Sequence, residues 1–206
     1  NLIGKNWDQP IIVQNELGIL GIIKDKKKER YLLQAKVEPG NINKLQLAPS
    51  VQATESNYKG AHGGKKVPYI DFFLKLKNKK KHHQSEQGFR YLNKFNSNIL
   101  INKSKIFKKG NNFFWFSKEE IKKLILKKNL INMDTLSVFS TVVKKKDIIQ
   151  SSINSKKKIF SWFKKNDQKY YIKIKKVKLA SLKDWIFKNY KIYYKKKKHF
   201  SVIGIH

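Results

Sequence analysis

The feature that most limits the fold is the strict alternation across residues 31–38, YLLQAKVE, closed by Pro39-Gly40-Asn41. Successive side chains of a β-strand point to opposite faces. Leu33, Ala35 and Val37 therefore share one face. Gln34, Lys36 and Glu38 share the other, about 7 Å apart in succession. A helix would mix the two sets, so this segment is a strand, and the Pro-Gly-Asn break ends it. A second run at residues 45–54 repeats the pattern less regularly, with Val51 and Ala53 opposed to Ser50, Gln52 and Thr54. Pro49 cannot donate to a ladder, which marks an edge or a bulge. Two neighbouring strands with polar sides either wall a pocket for a hydroxylated ligand or turn an ordinary polar face to water.

Further along, Ser117 and Glu120 form a capping box, which predicts a helix from about residue 117 to 128. Residues 133–143 predict another helix, and 68–74 a short one. Phe89, Leu92 and Phe95 stand at helical spacing, which predicts a helix over 84–95. Residues 98–102 and 200–205 read as strands, as does 170–177. Ser181 followed by Asp184 signals a further helix start. Strands first and helices after them place the chain in the α+β class.

A chain of 206 residues with 40% hydrophobic and 13% aromatic content can bury one good core and an appendage. No apolar run reaches the roughly 18 residues a membrane-spanning helix needs. With no cysteine there is no disulfide framework and no thiolate ligand or nucleophile, and a cytoplasmic location is the expectation. The net charge of +33 invites a nucleic-acid reading. Against it, Arg30 and Arg90 are the only arginines, and arginine is the residue whose fork reads guanine and phosphate. The lysines are scattered in KDKKK, KNKKKHH, VVKKK, SKKK and YKKKK, mostly on solvated faces and loops. No specific nucleic-acid partner is expected, only salt-sensitive adhesion to polyanions.

Nine blocks, in order, carry a resemblance along nearly the whole chain: WDQPII, LGILGII, LLQAKVEPGNIN, LAPSVQATESNY, HGG, PYIDFF, SEQGFRYL, NLINMDTLSVFS and HFSVIGI. Together they resemble the NDP-hexose 2,3-dehydratases. That resemblance implies a Nudix-like α+β module, a mixed sheet with flanking helices, without the Glu-rich helix motif that binds divalent metal in Nudix hydrolases. It implies a dTDP-linked keto sugar as partner, no cofactor, no metal and a homodimer. It also implies a partial protein: residues 1–144 as an N-terminally truncated first module, 145–198 as a linker with helices, and 199–206 as the opening strand of a second module.

The implied reaction removes water across carbons 2 and 3 of a 4-keto-6-deoxyhexose. The ketone acidifies the carbon 3 proton, a base takes it, and hydroxide leaves carbon 2. Mapped onto this sequence, Glu38 is a base or a grip on a sugar hydroxyl, or simply shapes the turn before Pro39. Tyr58 is acid or base, or a packing aromatic, and His62 is acid or base, or a loop residue beside its two glycines. Lys36, Gln34 and Asn41 hold the ketone or its enolate. Gln52, Thr54 and Asn57 bind the nucleotide, Gly63 and Gly64 let backbone approach a diphosphate, and Trp7 stacks on a base or packs in the core. Glu55 departs from the family, which usually carries Arg there. A reversed charge beside a diphosphate would weaken binding.

Overall fold

The computed structural model describes residues 10–38, 40–61, 63–76, 81–103, 106, 110–142, 158, 160–162, 164–165, 176–189, 191–195 and 201–203. They fall into two units, residues 10–149 and residues 150–206 together with 1–9.

The larger unit is built on a seven-stranded mixed sheet. Its strands are β1 (Gly18–Asp25), β2 (Arg30–Val37), β3 (Leu45–Pro49), β4 (Val51–Ala53), β5 (His82–Ser85), β6 (Phe95–Asn102) and β7 (Phe113–Ser117). β1 and β2 form a hairpin whose turn is tied by Asp25, which accepts from the amides of Lys27 and Lys28. On its other edge β1 pairs with β6 in parallel, and β5 folds back on β6.

The hairpin does not stay zipped. β1 and β2 pair only through Ile23–Asp25 and Arg30–Leu32. Beyond that they part, and β3 and β4 fill the gap as a bent pair. β3 pairs with β2, and β4 turns back along β1 at Ile19–Gly21. Ser50 sits at the crotch, 1% exposed. Its hydroxyl accepts from the Ile23 amide at 3.0 Å and donates to the Leu32 carbonyl. Ile23 and Leu32 face each other in the hairpin register, so this side chain replaces a ladder rung where the strands separate. The break read at Pro49 is this reversal.

Both faces of the sheet are covered. On one, Ile19, Ile23, Leu32, Val51 and Ile99 pack with Ile70 and Phe73 of α2 (Ile70–Leu74), α1 being the single turn Glu55–Tyr58 before it. On the other, Leu20, Ile22, Tyr31 and Leu33 pack with Ile121 of α3 (Lys118–Ile125) and Val138 and Phe139 of α4 (Met133–Val142). Gly21 is required on the first face, because a Cβ there would lie 2.3 Å from the Phe73 ring. The α3 capping box forms as read, Ser117 Oγ accepting from the Glu120 amide and Glu120 from the Ser117 amide. Asn98, buried on β6, donates to Ser137 and Thr141 and fastens α4 to the sheet.

Two expected helices are absent. Residues 84–95 form the end of β5, a turn and the start of β6. Gly88 and the left-handed Asn93 (φ 51°) let the chain reverse, and the Glu86 amide donates to the Lys94 carbonyl across the hairpin neck. Of the apolar residues at that spacing, Phe89 is exposed in the turn and Phe95 opens β6. Residues 181–184 precede strand β8 (Trp185–Lys188), which pairs with β9 (Lys191–Tyr194), itself paired with β10 (Ser201–Ile203). This antiparallel sheet belongs to the smaller unit, where Trp185 is buried against Tyr194. The expected strand at 170–177 lies mostly outside the described residues.

Candidate active site

Where the fork opens, the ends of β2 and β4, the starts of β1 and β6, and the first turn of α4 converge. Two adjoining cavities lie there, of about 410 and 290 Å³, and Glu38 and Asp134 line both. The larger falls within the size range of small-molecule pockets, and the smaller lies just below it.

Their shared wall is a chain of polar side chains. Lys36 Nζ lies 2.9 Å from Glu38 Oε1. Gln52 Nε2 donates to the same oxygen at 2.9 Å, and Asn41 Nδ2 donates to Oε2 at 3.5 Å. Gln52 Oε1 in turn accepts from Asn132 Nδ2 at 3.0 Å. Asn132 Oδ1 accepts from the amide and the hydroxyl of Thr135, which caps α4. The amide orientations are fixed by this order, since a flipped Gln52 would set donor against donor and acceptor against carboxylate. Glu38 is therefore held in one place by three elements of the sheet and helix.

Asp134 faces this wall from α4. Burial pushes its carboxyl up to about 6, helped by the nearby carboxylates of Glu86 and Glu38 and opposed by Lys36. The smaller cavity continues to Lys94, whose buried ammonium donates to Gln14 Oε1 at 2.7 Å and to the Glu16 carbonyl. Beside it Asn96 donates to Glu86 at 2.7 Å. A Cβ on residue 18 would lie 2.2 Å from Asn96 Oδ1, so only glycine lets Asn96 into this corner.

Of the residues expected at a site, the structure brings together Lys36, Glu38, Asn41, Gln52, Thr54 and Asn57, all on the cavity walls. Gln34 lies deeper in β2, between Ala48 of β3 and Phe113 of β7, and lines neither cavity. Tyr58 packs against the core beneath α2, and its hydroxyl is held above its ordinary range by burial first and by Glu55 second. Gly63 and Gly64 are exposed, with open space around them. Glu55 pairs with Lys59, the residue after α1, and lines neither cavity. Trp7 and His62 lie outside the described residues. Residue order alone missed Asp134, Glu86 and Lys94. The helix expected over residues 133–143 was a signal, but nothing in the sequence tied its start to Glu38.

The sequence profile of the NDP-hexose 2,3-dehydratase family matches residues 3–142, which include every residue of this cleft. The chain belongs to that family. The dTDP-4-dehydro-6-deoxy-alpha-D-glucopyranose 2,3-dehydratase of Amycolatopsis orientalis is 32% identical over 206 residues, covering 98% of this chain and 44% of that protein. Its counterpart in Saccharopolyspora spinosa is 30% identical over 97% of this chain and 46% of its own length. That of Streptomyces violaceoruber is 41% identical over 143 residues, 66% of this chain and 32% of its own. The chain thus spans less than half the length of these dehydratases.

Proposed function

We propose that this chain binds a dTDP-4-keto-6-deoxyhexose at the open end of the strand fork and eliminates water across carbons 2 and 3. The observation that carries the reading is the Lys36–Glu38–Gln52–Asn132 chain beside the two cavities. The larger cavity pairs amide side chains (Asn41, Gln46, Asn129) with Ile42, Ile131 and Met133, a lining suited to a pyrimidine base. The smaller is rich in hydrogen-bonding groups and holds Lys36 and Lys94, which suits a hexose and its phosphate. Glu38 accepts three donors and serves as the base for the carbon 3 proton. A positioned base of this kind contributes roughly 10²–10⁴ in rate. Lys36 and Lys94 stand ready for the enolate oxygen at carbon 4, and a donor in that role is worth roughly 3 kcal/mol. The enol formed then rearranges to a 3,4-diketo sugar.

We also read the mixed sheet, covered on both faces, as a Nudix-like module. On the family resemblance we expect a cytoplasmic homodimer, which light scattering would report as twice the 24.3 kDa chain mass. The test of function is incubation with dTDP-4-keto-6-deoxyglucose, read by mass spectrometry. Loss of one water from the sugar nucleotide is the expected result. Binding of dTDP without water loss would make this a binding module and refute the proposed activity.

A further inference from the structure

The base accounts for half of an elimination. Hydroxide is a poor leaving group, so something must protonate the carbon 2 oxygen as it departs. We propose that Asp134 is that proton donor, acting across the cleft from Glu38. This rests on the dehydratase reading above and assigns the second proton of the same site.

The geometry singles out Asp134. It is the carboxyl group that lines both cavities together with Glu38. It also stands on a different element, in the first turn of α4. Its position is not left to a mobile loop. Asn132, two residues before it, caps α4 and reaches through Gln52 to Glu38 itself. The charged groups around the cleft are Lys36 and Glu38 at the end of β2, Glu86 after β5 and Lys94 before β6. Their effects on the two carboxyl groups differ. Glu38 has a cation and two amide donors on its oxygens, whereas Asp134 meets partial burial and two carboxylates, which favour its neutral form. A carboxyl group kept neutral by its surroundings is the one able to give a proton.

The steps balance. Glu38 removes the carbon 3 proton, and the electron pair forms the carbon 3–carbon 4 enolate. The pair then moves to make the carbon 2–carbon 3 double bond while the carbon 2–oxygen bond breaks. The departing oxygen takes the Asp134 proton and leaves as water. Asp134 ends ionised and Glu38 protonated, and one proton exchanged with solvent resets both. Neither oxidant nor reductant is needed.

The experiment is run in D2O on the whole chain with dTDP-4-keto-6-deoxyglucose, following deuterium at carbon 3 by NMR and water loss by mass. In Asp134→Asn, elimination should fall at least about 100-fold, within the span general acids supply. Deuterium should still wash into carbon 3, because Glu38 still forms the enolate. Glu38→Gln should lose both. Elimination by Asp134→Asn within about threefold of the native chain overturns the proposal. So does loss of exchange and elimination together, since that would make Asp134 part of enolate formation. Should Asp134→Asn not fold, the native kcat/KM profile decides. A fall as pH rises through about 6 supports the donor, and a profile flat there refutes it. A native chain that neither exchanges nor eliminates refutes the dehydratase reading itself, and the role of Asp134 with it.

Discussion

Replacing Ser50 by alanine tests how the fork is held open. The hydroxyl satisfies one buried donor, the Ile23 amide, and one buried acceptor, the Leu32 carbonyl. Alanine satisfies neither, and at 1% exposure water has no easy access. A buried polar group left without its partner costs about 1–3 kcal/mol. Two such groups set an upper range near 6 kcal/mol, and partial rezipping of the Ile23–Leu32 rung would recover some of it. The expected loss is about 2–4 kcal/mol, near the upper end of common single substitutions. Urea denaturation followed by tryptophan fluorescence should show a lower midpoint at unchanged slope. Amide hydrogen exchange should quicken at Ile23. Ser50→Thr keeps the hydroxyl and should lose less. A loss below about 1 kcal/mol, with Ile23 still protected, would mean that β1 and β2 are parted by β3 and β4 alone and that the serine is a passenger.

Three further outcomes follow from other parts of the unit. Asp134, raised to about 6 in the fold from its ordinary 3.8, favours folding when protonated, so its contribution is complete below pH 4 and is lost as pH rises through about 6. Asp134→Asn should therefore be more stable than the native chain at pH 7.5, by about 2–3 kcal/mol at most, and equal to it at pH 3.5. Lower stability of the variant at pH 7.5 would contradict the assigned burial. Gly21→Ala forces a methyl group toward the Phe73 ring and should cost about 1–3 kcal/mol by overpacking, and Phe73→Leu in the same chain should recover part of that loss. Asn132→Ala removes the α4 cap and the Gln52 anchor together. It should lower stability by about 1–2 kcal/mol and weaken dTDP binding, checked by thermal melts and calorimetry.

What the residues disclosed in advance was what short-range physics decides. Ser117 and Glu120 cap α3 through contacts within one turn, so their spacing was sufficient. The β2 strand was legible because its alternation has one cause. Residues 84–95 were not, because apolar spacing near that of a helix coincided with Gly88 and Asn93, whose turn geometry prevailed once β6 had a partner in β1. At the site, alternation joined Lys36 with Glu38, which the structure pairs, and set Gln34 beside them, although Gln34 lines neither cavity. The fork confines the cleft to the strand ends, and Gln34 lies where β3 and β7 flank β2 on both edges. Asp134 was out of reach for another reason. Its meeting with Glu38 depends on Asn98 fastening α4 to the sheet and on Asn132 meeting Gln52, long-range contacts that leave no periodic mark.

The claim that everything else serves is that the open end of the fork is where a nucleotide sugar binds. Titration of the 15N-labelled chain with dTDP measures this directly, whether or not the chain turns over substrate. Shifts should concentrate on the amides around Glu38, Asn41, Gln52 and Asn132 and on the side-chain amides of Gln52 and Asn132, and Glu38→Gln should alter them. Shifts confined to the glycines at 60–64 or spread over the lysine-rich surface, with Gln52 and Asn132 unmoved, would contradict the account.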